Sequence, residues 1–269
     1  MSRGDGLTLL ARARTADAVS AALSVIAVDN PGLRQTLLER YRQVSEDPRR
    51  LDADGAIRAA LLHGLRTCAL RDDIGLLEEA VRTYEFGVHG EAVCNLRAAA
   101  LLALADLDER LAAFSATRLL ADRFTARGSR EPALTAVRLL AATGQQLPLY
   151  RHLLSGAAAG EEAAECFRAL ADVPASDLLD LAGRWQSSSD ETALLGLFDA
   201  LLSHRQLDKF SGFVMQFIEE SPLLDLVAYV ATAIVAGHRE ALVDELNDRK
   251  ELPGRRGEAV REALTLRPR

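Results

Sequence analysis

One short phrase recurs along this chain: an aliphatic or aromatic residue, then Arg, then mostly apolar residues. It stands as Ile57-Arg58-Ala59-Ala60, Leu96-Arg97-Ala98-Ala99, Val137-Arg138-Leu139-Leu140 and Phe167-Arg168-Ala169-Leu170. Each copy lies in an apolar helical stretch that leads through a short polar turn into a second one. A single pair of this kind cannot bury its own hydrophobic face, so neighbouring pairs must stack to make a continuous core. The pattern predicts an all-α fold, an α-α superhelix of about seven helical hairpins.

Turns between paired helices fall near Asp72, Asp108, Gly144, Val173, His204 and Gly237, at spacings of 36, 36, 29, 31 and 33 residues. Those periods lie in the range of helical repeats. The stretch around His204 shows the physics best. Leu194, Leu197, Phe198, Leu201 and Leu202 share one helical face, and Phe210, Phe213, Val214, Phe217 and Ile218 repeat the spacing after the turn. Ser189-Asp190 offers an N-cap oxygen to the first of these helices, and Ser221-Pro222 ends the second. The return helix after Asp108 is read through Ala112, Ala116, Leu119, Leu120 and Phe124.

The expected organisation is one continuous unit: an atypical helical repeat over 1–53, regular repeats over 54–250, and a C-terminal capping helix and tail over 251–269. Leu226 to Val235 is apolar on nearly every face. Its helix should be enclosed by the Phe210–Ile218 helix, by the Glu240–Arg249 helix and by Gly254 to Thr265. Gly87-Val88-His89-Gly90, Arg127-Gly128-Ser129 and Gly156 to Gly160 read as short loops, with no strand signal.

A net charge of -7 opposes general nucleic-acid binding, which needs a basic face for phosphates. The charge is uneven: 151–200 holds three Arg against nine acids, whereas 1–50 holds eight Arg against six. Lys209 and Lys250 are the only lysines beside abundant Arg, a bias expected of a GC-rich bacterial genome. Cys68, Cys94 and Cys166, each in an apolar context, are expected as buried reduced thiols of a cytosolic protein. Met1-Ser2-Arg3-Gly4-Asp5 lacks the apolar core of a signal peptide, and the uncharged run Leu226 to His238 is too short to span a bilayer. A cytoplasmic location is expected, without membrane association.

The alternating helices and the apolar-Arg-x-Ala phrase, clearest in Leu96 to Leu104, resemble HEAT repeats of the armadillo type, in particular short bacterial ones such as those of phycobilisome-lyase-like proteins. The resemblance covers most of the chain from Asp54 onward and implies an interaction surface on the inner helices. The chain departs from a uniform pattern in its turns. Some carry acids, while others carry Gln145, His204 and His238. The Trp-x-x-Leu-Gly-x-x-Tyr signature of tetratricopeptide repeats is missing.

Nucleotide, zinc-protease and hydrolase motifs are absent from the sequence. His63-Gly-x-x-x-Cys68 and His89-Gly-x-x-x-Cys94 offer four zinc-ligand types. His63 and Cys68, however, would lie about 140° apart round a helix, where chelation wants the four-residue spacing. Asp180, Arg184 and Trp185 match in type the groove residues of HEAT-like DNA glycosylases, yet a helical ion pair and a packing Trp account for them more simply. For Arg58, Arg97, Arg138 and Arg168 the expected role is structural: each fork bonds a turn acid or carbonyl of the neighbouring repeat and fixes stacking register. No catalytic, cofactor-binding or metal-binding residue is singled out. The expected function is a non-enzymatic scaffold or adaptor for a protein partner, with a bilin lyase-like or DNA glycosylase-like enzyme as the alternative.

Overall fold

A computed structural model of the chain describes residues 3–88, 90–237 and 239–266. The protein is all-α, apart from one two-residue antiparallel ladder among the described residues. It divides into two compact units, Met1–Gln145 and Gln146–Arg269. The boundary falls in the turn that the sequence places at Gly144.

The first unit contains α1 (Arg3–Arg12), α2 (Ala16–Leu23), α3 (Leu33–Glu46), α4 (Pro48–Leu51), α5 (Ala56–Leu65), α6 (Ile74–Val81), α7 (Cys94–Leu107), α8 (Glu109–Leu120) and α9 (Ala133–Ala142). Two of these helices begin at side-chain caps. Thr15 Oγ1 accepts from the Ala18 amide at the start of α2, and Asp108 accepts from the Leu111 amide at the start of α8. α5 packs on both α3 and α7, and α7 packs in turn on α6, α8 and α9. That central position explains why α7 is apolar on almost every side: Leu96, Ala100, Leu101, Ala103 and Leu104 are all fully buried.

The second unit contains α10 (Gln146–Ser155), α11 (Gly160–Ala169), α12 (Ala175–Trp185), α13 (Glu191–Ser203), α14 (Ser211–Glu220), α15 (Leu224–Ala236), α16 (Glu240–Asn247) and α17 (Gly254–Thr265). Here α11 packs on α13, α13 on α15 and α15 on α17. The α11–α13 approach is close enough that a Cβ added at Gly196 would lie 2.3 Å from the Ala164 Cα. Asp190 ties the same two helices at their starts, accepting from the Ala193 amide of α13 and from the Gly160 amide of α11. Phe167, Phe198 and Phe210 are completely buried, each contributing about 1.5–3 kcal/mol of apolar transfer. The apolar helix α15 is enclosed by α14, α16 and α17 as its sequence requires, and also by α13.

Four local expectations are corrected. Residues 3–12 form a helix that the sequence reading omitted, and its Leu10 is fully buried. The segment read as a plain loop at Gly87 to Gly90 pairs β1 (Phe86–Gly87) with β2 (Gly90–Glu91), with Gly90 at a φ of 112°. The Ala92 amide extends this ladder to the Glu85 carbonyl. Phe124 lies beyond the end of α8 rather than on it, because the Asp122 carboxylate captures the Phe124 amide in a turn. Cys68 is half-buried in the connection after α5, not enclosed in a helix, whereas Cys94 and Cys166 are buried. His89, His238 and Met1-Ser2 lie outside the described residues.

Candidate functional site

Two of the four recurrent arginines sit in closely matched nodes of the first unit. Arg58, near the start of α5, donates from Nε to Asp52 and from both terminal nitrogens to Glu85. Asp52 also accepts from the Ile57 and Arg58 amides, so one carboxylate caps the helix and pairs its arginine. Thirty-nine residues on, Arg97 lies in the first turn of α7, as Arg58 does in α5. It pairs with Glu91 and Asp122 and donates to the Phe124 carbonyl. Glu91 caps α7 through the Val93 amide and also accepts from the Cys94 thiol at 2.5 Å.

The partners differ from those expected. They are loop acids, one just before the arginine's own helix and one after the following helix, not acids of the turn inside a hairpin. Each node therefore clamps the two loops that flank a helical pair. Burial pulls the Arg97 pKa down, but the Glu91 and Asp122 charges outweigh it and hold it above the usual value. Burial, then the Glu91 hydrogen bond, pushes the Cys94 thiol up to about 11, so at neutral pH it is protonated and a poor nucleophile. Arg168 behaves differently: it is partly exposed and pairs with Asp199 of α13 and Glu165 of its own helix. Arg138 is exposed on α9.

The Arg97 node carries a surface. Asp122 accepts from the Tyr84 hydroxyl as well as from Arg97, and the Arg97 guanidinium lies 4.4 Å from the Tyr84 ring centroid. Phe124 meets Tyr84 edge-on at 5.7 Å and Phe86 at 5.0 Å. Arg123 stands 4.7 Å over the Phe124 ring. On α8, Arg110, Phe114 and Arg118 share one exposed face at four-residue spacing, with Arg110 6.0 Å from the Phe114 ring. Arg118 is near enough to Tyr84 to pull against its raised pKa, which burial and then the Asp122 hydrogen bond set. All three cation–π contacts found among the described residues belong to this surface. Its outer residues are open to solvent: Tyr84 is 40% exposed, Phe86 57%, Phe114 66% and Val88 97%.

A second concavity of about 630 Å³ lies between α2 and α5 in the same unit. Its lining is mostly apolar, including Leu23, Ile26 and Ala60, with Ser20, His63 and Asn95 as polar points. Partial desolvation there, then the Arg66 charge, lowers the His63 pKa, so the ring is neutral at pH 7.

The other candidate residues are not gathered into a site. His63 is exposed on α5, Cys68 lies in the connection after it and Cys94 is spent on Glu91. No group of three or more metal-ligating side chains occurs among the described residues. Asp180 and Arg184 are exposed on α12, and no ion pair joins them among the described residues. Trp185 packs edge-on against Phe167 of α11 at 5.3 Å, as expected of a packing residue. In the second unit, sequence reasoning missed His152 of α10, which pairs with the fully buried Glu162 of α11. His204 is a structural residue: its Nε2 donates to the Val173 carbonyl and its Nδ1 accepts from the Gln206 amide.

No helix among the described residues is long and apolar enough to cross a membrane. Comparison with models of known protein families, with curated proteins and with solved structures returns no match.

Proposed function

We propose that this chain is a non-enzymatic scaffold or adaptor for a protein partner, a cytoplasmic HEAT-like α-solenoid whose stacked hairpins present a rigid binding surface. The observation that carries the reading is the exposed aromatic surface around Tyr84, Phe86 and Phe114. A contiguous apolar patch with a polar rim marks an interaction site on a soluble protein, because leaving it in water costs free energy that a partner recovers. Aromatic and Arg residues are also the types enriched where protein interfaces concentrate their binding energy. Repetition of the first-helix contacts within each unit supports the stacked-hairpin architecture.

The test is a pull-down from the source cells with the full chain as bait, beside a Phe86→Ser/Phe114→Ser variant of unchanged helical content. Stoichiometric capture of one protein, lost in the variant, is expected. Absence of any partner, together with excision of alkylated bases or attachment of a bilin by the purified chain, would replace the scaffold with a HEAT-like enzyme.

A further inference from the structure

Three exposed arginines flank the aromatic surface around Tyr84, although the chain as a whole carries a net charge of -7. Glu91 and Asp122 pair with Arg97, Glu85 with Arg58 and the exposed Asp106 with Arg66, and Asp108 caps α8, while Glu109 stays exposed beside Arg110. Arg110, Arg118 and Arg123 are exposed, and none of them forms an ion pair among the described residues. The aromatic rings therefore lie beside three cations whose charge faces solvent.

Tyr84 and Phe124 are also held in place before anything binds. Tyr84 is anchored by Asp122 and backed by the fully buried Arg97, and Phe124 is fixed between Tyr84, Phe86 and Arg123. Ordering them on binding costs little entropy. A guanidinium on one face of a ring draws electron density away from the other, so the open face suits an electron-rich aromatic partner.

We propose that this surface docks an acidic peptide segment that carries aromatic residues. This rests on the scaffold reading and names the chemistry of its partner. Carboxylates of the segment pair with Arg110, Arg118 and Arg123, while its aromatic side chains pack on Tyr84, Phe86 and Phe114. A short segment feels mainly the local cations, because charges beyond a Debye length of about 8 Å are screened at physiological salt. A long polyanion runs past the patch and meets the acidic remainder of the chain, which disfavours nucleic acid as the occupant.

The experiment measures fluorescence anisotropy of labelled probes on the full-length chain. The probes are a short synthetic peptide of Glu, Asp and Trp, the same peptide with Lys for the acids, the same with Ala for the Trp, and an oligothymidylate. The acidic Trp peptide is expected to bind at least about tenfold tighter than either altered peptide or the oligonucleotide, and to weaken as salt rises. Arg118→Gln/Arg123→Gln, checked for native melting, should weaken it by about tenfold. Equal binding of the Lys peptide, tighter binding of the oligothymidylate, or no binding of the acidic peptide overturns the proposal. If the double Arg variant still captures the cellular partner that the double Phe variant loses, the acidic chemistry fails while the scaffold reading stands.

Discussion

The Arg97 guanidinium, with no exposed side-chain surface, lies 4.4 Å from the centroid of the Tyr84 ring, which is 40% exposed. A buried ion cluster thus sits directly beneath a solvent-facing aromatic. The same residue that ties two loops to α7 sets the ring at which the surface begins.

That arrangement predicts unequal costs for two arginines of the same sequence phrase. Arg97→Met leaves the buried Glu91 and Asp122 carboxylates without their cation, and should cost about 3–5 kcal/mol. Arg168→Ala breaks a pair exposed to water and should cost at most about 1 kcal/mol. Urea unfolding of the two variants checks this, and equal midpoints would contradict it.

Two glycines on helices of the second unit should respond with opposite signs. Gly196→Ala drives a methyl into the Ala164 backbone, so α11 and α13 must separate. The expected loss is about 1–3 kcal/mol, the usual cost of overpacking. Gly183→Ala on α12 meets nothing within 4 Å and should gain about 0.5–1 kcal/mol from helix propensity. Thermal melting monitored at the helical signal separates the two.

Asp73 predicts a pH dependence. Burial raises its pKa, but the bidentate Arg34 hydrogen bonds and the Leu70 amide outweigh burial and leave it below the usual carboxylate value. A folded-state pKa below the unfolded one, about 3.9, gives stability that is present above that value and lost as pH falls through the folded pKa. Asp73→Asn should therefore destabilise the chain at pH 7, and the difference from wild type should shrink below about pH 4. A difference that grows on acidification would have the wrong sign.

Truncation after Arg249 removes α17, whose Val260 and Ala263 are buried and which packs on α15. Exposing the apolar α15 should cause aggregation or a large loss of thermal stability. An unchanged melting temperature would show that α17 is dispensable.

Much of the fold was legible because its signals are local. The Leu194 and Phe210 stripes, the Asp190 cap and the Pro222 stop depend on residues a few positions apart; α13 begins at its cap and α14 ends before Pro222 as those signals require, although Phe210 closes a 3-10 turn just ahead of α14. The nodes were legible only in half. The arginines recur visibly, but Asp52, Glu85 and Asp122 reach them through loop returns that no helical period encodes. The surface was hidden for a different reason. Phe114 and Phe124 carry the hydrophobicity of core residues, and a pattern that assigns apolar residues to the interior cannot mark the ones a fold leaves outside. The Arg110-Phe114-Arg118 spacing was the available signal, since two arginines flanking a Phe on one helical face oppose its burial.

Site-specific photo-cross-linking in the source cells tests the central claim most directly. A photoreactive phenylalanine analogue is placed at Phe86, at Phe114 or, as a control, at the still more open Leu147 of the second unit. The scaffold account predicts one discrete protein adduct shared by the Phe86 and Phe114 positions and absent from Leu147. Adducts of the same kind from all three positions, or none from Phe86 and Phe114, would contradict it.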